Sequence, residues 1–176
     1  IRRNIMKRFY LFVLLVSFII VLNAQRGLFG IAYDDPLNKA DSLLCYQGFL
    51  ATDIEGNLIT YRSDYNKFVD AIILIVDPTD EIVIGWFVSY SKENTKEQDE
   101  YVLEQLEKMH GKAVYLDKKR EKISWIFDEQ RVAIYGYAPS GNLCVYYYDF
   151  SRPELFQLPP TIENKIDKNQ PDISEP

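Results

Sequence analysis

Histidine occurs once and cysteine twice in this chain of 176 residues, which removes the usual raw material of metal centres and of thiol catalysis. A zinc site needs several closely spaced His or Cys ligands, and His110, Cys45 and Cys144 stand far apart. No local signature or orienting residue accompanies either cysteine, so a Cys-His nucleophile is not expected. Glycine is sparse as well: eight are scattered along the chain, and none builds a phosphate cradle. Basic residues are outnumbered, 20 against 26 acidic ones for a net charge of -6, and they form no long run. Such a body repels phosphate backbones and anionic bilayers, which argues against nucleic-acid and membrane-surface binding.

Acidic residues do cluster, at Asp34 and Asp35 and at Asp77, Asp80 and Glu81. These positions fall at a predicted helix start and a predicted hairpin turn, where Asp side chains serve local hydrogen bonding. The stretch "DPTDE" lacks the glycine and the ligand rhythm of a calcium loop. No catalytic residue, metal or cofactor is therefore assigned.

Also missing is an apolar run long enough to cross a bilayer, which takes about 20 residues for about 30 Å of hydrocarbon. The longest run, residues 9–22, has 14 and is broken by Ser17. Lys7 and Arg8 precede it and "NAQ" follows, which is the grammar of a cleaved secretory signal. Bulky Leu22 near the cut keeps an uncleaved anchor as the alternative. Residues 1–25 are read as an upstream extension plus signal peptide, with Met6 the expected start, and the product as exported to the periplasm or beyond. After removal no integral membrane segment is expected.

From residue 26 onward 151 residues remain with a charge of -10, enough for one well-buried core. Export leads to an oxidising compartment, so Cys45 and Cys144 are a candidate disulfide. It would close about 100 residues and stabilise the fold by on the order of 4 kcal/mol. The alternative is two buried free thiols packing as small hydrophobes.

Punctuation along the chain is regular. Asp35 is placed to cap a helix, Pro36 suits its first turn, Leu37, Ala40, Leu43 and Leu44 make an apolar stripe, and Gly48 ends it. Strands are expected over residues 49–54, 58–61, 68–76 and 82–90. A second helix begins at Asn94 or Thr95, with Gln98 set for a capping box, carries Val102, Leu106 and Met109 on one face, and closes at Gly111. His110, beside that glycine, reads as a cation facing the helix dipole. Strands follow over 112–116, 123–127, 131–137 and 143–150. Trp86, Trp125, Ile84, Ile123 and Phe127 read as core, and residues 71–76, apolar throughout, as a central strand buried on both faces.

The expected fold class is α+β: two α-β-β-β-β repeats, about residues 34–90 and 94–150, forming antiparallel sheet with helices packed on one face. They make up one domain over residues 26–150. Residues 151–176 hold five of the eight prolines and no periodicity, and read as a flexible tail whose one apolar island, "LFQLPP", packs loosely on its own domain.

The stretches "GLFGI" before the first helix, "YQGF" at its end, "VSYSKEN" leading into "YVLEQLEKMHG", a Trp-containing strand and the closing "GNLCVYYYD" resemble a largely uncharacterised family of small exported proteins of Gram-negative anaerobes. The resemblance spans roughly residues 27–150. The tandem helix-plus-four-strand plan is also similar to the β-lactamase inhibitor protein fold, in which a concave sheet binds another protein. That likeness implies a fold and carries no functional residue over.

What the chain has in excess is tyrosine, thirteen of them. Tyr135 and Tyr137 alternate to one face of a strand, and Tyr146, Tyr148 and Phe150 share one face of its hairpin partner. Together they are the candidate binding surface, since tyrosine supplies large contact area at small entropic cost. The competing reading is that these rings are cross-strand pairs covered by the helices. The expectation is a non-enzymatic exported binding module whose aromatic sheet face contacts a protein or a glycan polymer, an enzyme inhibitor being its sharpest form. An envelope structural or assembly factor, and a carboxylate-dependent hydrolase of cell-wall or dietary polymer, are the alternatives.

Overall fold

The computed structural model describes residues 26–117 and 122–156. The predicted signal segment, part of the charged turn before residue 122, and the tail beyond residue 156 lie outside the described residues. Within them the protein is α+β, with two α-helices and one antiparallel sheet. The elements are α1 (Leu37–Tyr46), β1 (Leu50–Glu55), β2 (Leu58–Arg62), β3 (Val69–Asp77), β4 (Ile82–Tyr90), α2 (Lys96–His110), β5 (Tyr115–Asp117), β6 (Lys122–Ile126), β7 (Arg131–Tyr137) and β8 (Leu143–Asp149). Strand order across the sheet is β1-β2-β3-β4-β8-β7-β6-β5, so the last strand of each half meets the other at the centre. No helix among the described residues is long and apolar enough to cross a membrane.

Two adjacent rows of residues show how the sheet divides its side chains. The row Tyr61, Ile72, Val88, Val145, Tyr135 and Ile123 runs across six strands. All but Ile123 are buried, and we call this the inner face. Tyr61 donates to Asp41 of α1 at 3.0 Å, the Tyr137 hydroxyl to Asp99 of α2 at 2.9 Å, and the Trp125 indole to the Gly111 carbonyl at 2.8 Å. The next row, Thr60, Ile73, Phe87, Tyr146, Ile134 and Ser124, points the opposite way because side chains alternate along a strand. None of these six is buried. We call this the outer face. Ile73 and Ile75 of β3 belong to it and are partly exposed, while Ala71 on the same side is buried, so β3 is buried on both faces over only part of the expected stretch.

The helix boundaries follow from local chemistry, with one correction. At α2 the Thr95 side chain accepts from the Gln98 N–H and the Gln98 side chain accepts from the Thr95 N–H, a complete capping box. Asp35 does not cap α1. Its carboxylate turns back to accept from the Ala32 N–H at 3.1 Å and from Lys39 at 2.6 Å, while the Leu37 N–H is satisfied by the Glu81 carbonyl. The start of α1 is therefore held by the β3–β4 turn rather than by its own side chain.

The amino-terminal strap, residues 26–35, lies under the inner face. Gly27 sits where a Cβ would come within 2.4 Å of the Tyr147 ring and 2.5 Å of Trp86, so only glycine fits this close approach. Trp86 and Tyr147 stack at 4.1 Å, and the Tyr147 hydroxyl accepts from the Leu28 N–H at 3.1 Å. Arg131 of β7 pairs with Asp34 of the strap and with Asp149 of β8, and lies over the Tyr33 ring. Trp86 and Trp125 are core as expected, whereas Phe127 packs at its margin.

The first residues of the expected tail belong to the body. A short 3-10 turn, Pro153–Phe156, crosses the outer face. Arg152 pairs with Asp77, Asn57 donates to the Leu155 carbonyl at 2.7 Å, and the Phe156 ring packs tilted against Tyr148 with centroids 3.9 Å apart. Gly85 makes room for it, since a Cβ there would meet the Phe156 ring at 2.7 Å. The apolar pair Leu155 and Phe156 explains why the domain runs past residue 150.

Candidate functional site

The outer face around the β7–β8 hairpin gathers the exposed rings. Phe87 and Tyr146 are cross-strand neighbours with ring centroids 4.5 Å apart, and Tyr146 is 43% exposed. Tyr148 continues the line on β8 and contacts Phe150 at 4.6 Å. On one side of the Phe87–Tyr146 pair lies a depression of about 470 Å³ lined by Phe87, Asp70, Lys92, Ser89, Asn142 and Cys144. On the other lies one of about 270 Å³ between Tyr146, Ile134, Pro139 and Lys122. Ala138 borders both.

The hairpin register splits the five predicted aromatic residues. The turn closes with the Ala138 N–H donating to the Asn142 carbonyl, and pairing from there sets Tyr137 opposite Leu143, Tyr135 opposite Val145 and Tyr146 opposite Ile134. Directly opposite residues share a face. Tyr135 and Tyr137 therefore belong to the inner face, while Tyr146 and Tyr148 belong to the outer one. The single surface expected for all of them does not form. Tyr135 is buried against α2, and Tyr137 spends its hydroxyl on Asp99. Burial raises the pKa of both phenols, as does the Asp99 contact for Tyr137. Tyr146 is pushed up to about 12, first by burial and then by its neighbour Cys144.

The two cysteines are also separated. Cys45 is exposed on α1, while Cys144 is buried in β8, sharing the outer side with its cross-strand neighbour Ser89. Both thiols are free, so the candidate bridge is not formed, and of the alternative of two buried thiols only Cys144 fits. Burial pushes the Cys144 thiol up to about 11, which keeps it protonated and unreactive.

His110 differs from its sequence reading too. Its ring packs on Phe127 at 4.8 Å and its Nε2 lies 3.0 Å from the Tyr147 hydroxyl. Desolvation lowers its pKa to about 4, so it is neutral at pH 7 rather than a cation against the helix dipole.

The buried carboxylates Asp149 and Asp77 are committed to structure. Asp149 is 3% exposed; burial pushes its carboxyl up, but the Ser151 hydroxyl and N–H and the Arg131 guanidinium outweigh that, and its pKa ends lowered. Asp77 accepts from the Thr79 N–H and pairs with Arg152. Among the described residues no group of three or more His, Cys, Asp or Glu side chains is placed to hold a metal ion.

Phe87 and Phe156 were not singled out from the sequence. Phe87 was legible in principle, since it alternates with the core residue Trp86. Phe156 lay in the one apolar island of the tail, whose docking point only the three-dimensional structure reveals. Compared with known protein families, curated proteins and solved structures, the chain has no match.

Proposed function

We propose that this protein is an exported, non-catalytic binding module whose outer sheet face contacts another protein or a polymer. One observation carries the reading: the row Thr60, Ile73, Phe87, Tyr146, Ile134 and Ser124 crosses six strands without one buried member, with Phe87 and Tyr146 as its aromatic ridge. Partly exposed aromatic residues flanked by shallow depressions of mixed polarity have the composition of binding hot spots. Export rests on the order of charge, apolar run and small residues over 1–25. The likeness to exported proteins of Gram-negative anaerobes rests on the short motifs quoted above.

We further read the chain as a duplicated helix-plus-four-strand unit, with both helices on the inner face. The mirrored strand order about the β4–β8 junction supports this. An inhibitor of a secreted enzyme is the sharpest form of the function, because a broad, shallow, aromatic sheet face suits a convex protein surface better than a small molecule.

The test is capture by the mature chain of partners from envelope and culture fractions, followed by affinity measurement on the partner obtained. Phe87→Ala and Tyr146→Ala are each expected to weaken binding at least tenfold, in line with central aromatic anchors. Tyr137→Phe, on the inner face, is expected to leave it unchanged. Equal affinity in all three variants would remove the outer face from the function.

A further inference from the structure

A second surface lies at the opposite margin of the sheet and is independent of the outer-face reading. Strand β1 is a sheet edge: it pairs with β2 alone, all six of its residues are exposed, and Ile54 is 70% exposed. Beneath it, between α1, β1, β2 and the β3–β4 turn, lies a groove of about 480 Å³. Its walls divide by chemistry. Leu37, Ile54 and Ile59 supply apolar surface, and Asp41, Asp80 and Glu81 supply carboxylates. A bulge at Thr52 shifts the register between Ala51 and Asp53, which is why Ala51 and Ile54, three positions apart, both line the groove.

The backbone of Glu81 and the side chain of Asp41 are held in place. Glu81 adopts φ 53°, a left-handed conformation that a glutamate rarely takes. It is held there by its N–H to the Asp77 carbonyl at 2.9 Å and by its carbonyl, which accepts the Leu37 N–H at 2.8 Å. Asp41 accepts from Tyr61, a neutral donor. Among the described residues no lysine or arginine pairs with Asp41, Asp80 or Glu81.

We propose that this edge takes an extended peptide segment of a partner protein as an added strand beside β1, with a lysine or arginine side chain set into the groove. Backbone groups of an edge strand are a ready template for strand addition, and pockets for alternate side chains then give selectivity. A long basic side chain matches both walls, its methylene stem against Leu37, Ile54 and Ile59 and its charged head at the carboxylates. The chain's net charge of -6 draws cationic segments in from a distance.

The test uses the mature chain and three blocked decapeptides: alternating Arg and Val, the same with Glu for Arg, and the Arg peptide N-methylated at alternate residues. The Arg peptide is expected to bind at least tenfold more tightly than either of the others. The exposed double substitution Asp80→Asn with Glu81→Gln is expected to weaken it at least fivefold without changing the denaturation midpoint, and Tyr146→Ala is expected to leave it unaltered. Equal binding of the Arg and Glu peptides overturns the charge match, and equal binding of the N-methylated peptide overturns strand addition. No binding of any peptide at millimolar concentration overturns the proposal. So does a concentration-dependent dimer in sedimentation that Ile54→Lys dissolves and the Arg peptide does not, since the edge would then belong to a second copy.

Discussion

Acidifying the protein from pH 7 to pH 4 is predicted to destabilise it through His110, and the sign of that effect discriminates between two physical pictures. The imidazole is packed among Phe127, Trp125 and Tyr147, and its Nδ1 is buried with no hydrogen-bond partner. The groups that face it are thus neutral, and none compensates a positive charge. Its pKa falls from the ordinary 6.5 to about 4 because burial penalises the charged ring. Between those values the unfolded chain binds a proton that the folded chain refuses, so stability is complete above about pH 6.5 and is lost as pH falls through about 4. At about 1.4 kcal/mol per pH unit the linked loss is at most about 3 kcal/mol, and partial solvent contact reduces it to about 2 kcal/mol. Urea denaturation from pH 8 to pH 4, of the natural chain and of His110→Gln, measures it. The carboxylates titrate in both proteins, so the difference between the two curves isolates the histidine. The natural chain should lose about 2 kcal/mol more than the variant. Parallel curves would refute the buried-ring argument. A natural chain that gains stability on acidification relative to the variant would establish the opposite picture, an imidazolium favoured by the end of α2.

Two further outcomes follow from the same packing. Gly27→Ala should cost about 1–3 kcal/mol in chemical denaturation, because its methyl group must displace the strap from the Trp86–Tyr147 stack; an unchanged midpoint would show that the strap does not pack there. In a thiol-reactivity assay Cys45 should label quickly in the native protein and Cys144 only at the rate of unfolding, and a single slow phase accounting for both would contradict their placement.

Much of the architecture was legible because it rests on short-range chemistry. The spans of β4 and β7 coincide with their apolar runs, and the Thr95–Gln98 box and Gly111 bound α2 as their residue types require. The candidate site was legible only in part. Tyr146, Tyr148 and Phe150 were identified, but Tyr135 and Tyr137 were joined to them because alternation within a strand says nothing about which residue stands opposite on its partner. Asp35 misled in the same way: an Asp before Pro36 has capping chemistry, yet Ala32 and Lys39 lay closer in space.

The order of helices and strands and the two ends of α2 were determined by the sequence alone, because each depends on residues within a few positions of one another. Tertiary structure alone decided which rings face outward, that Cys45 and Cys144 stand apart, that His110 is neutral and that Phe156 docks over Gly85. Those outcomes depend on strand register and on what packs across the sheet, and a contact between residues such as Leu28 and Tyr147 leaves no local periodicity to read.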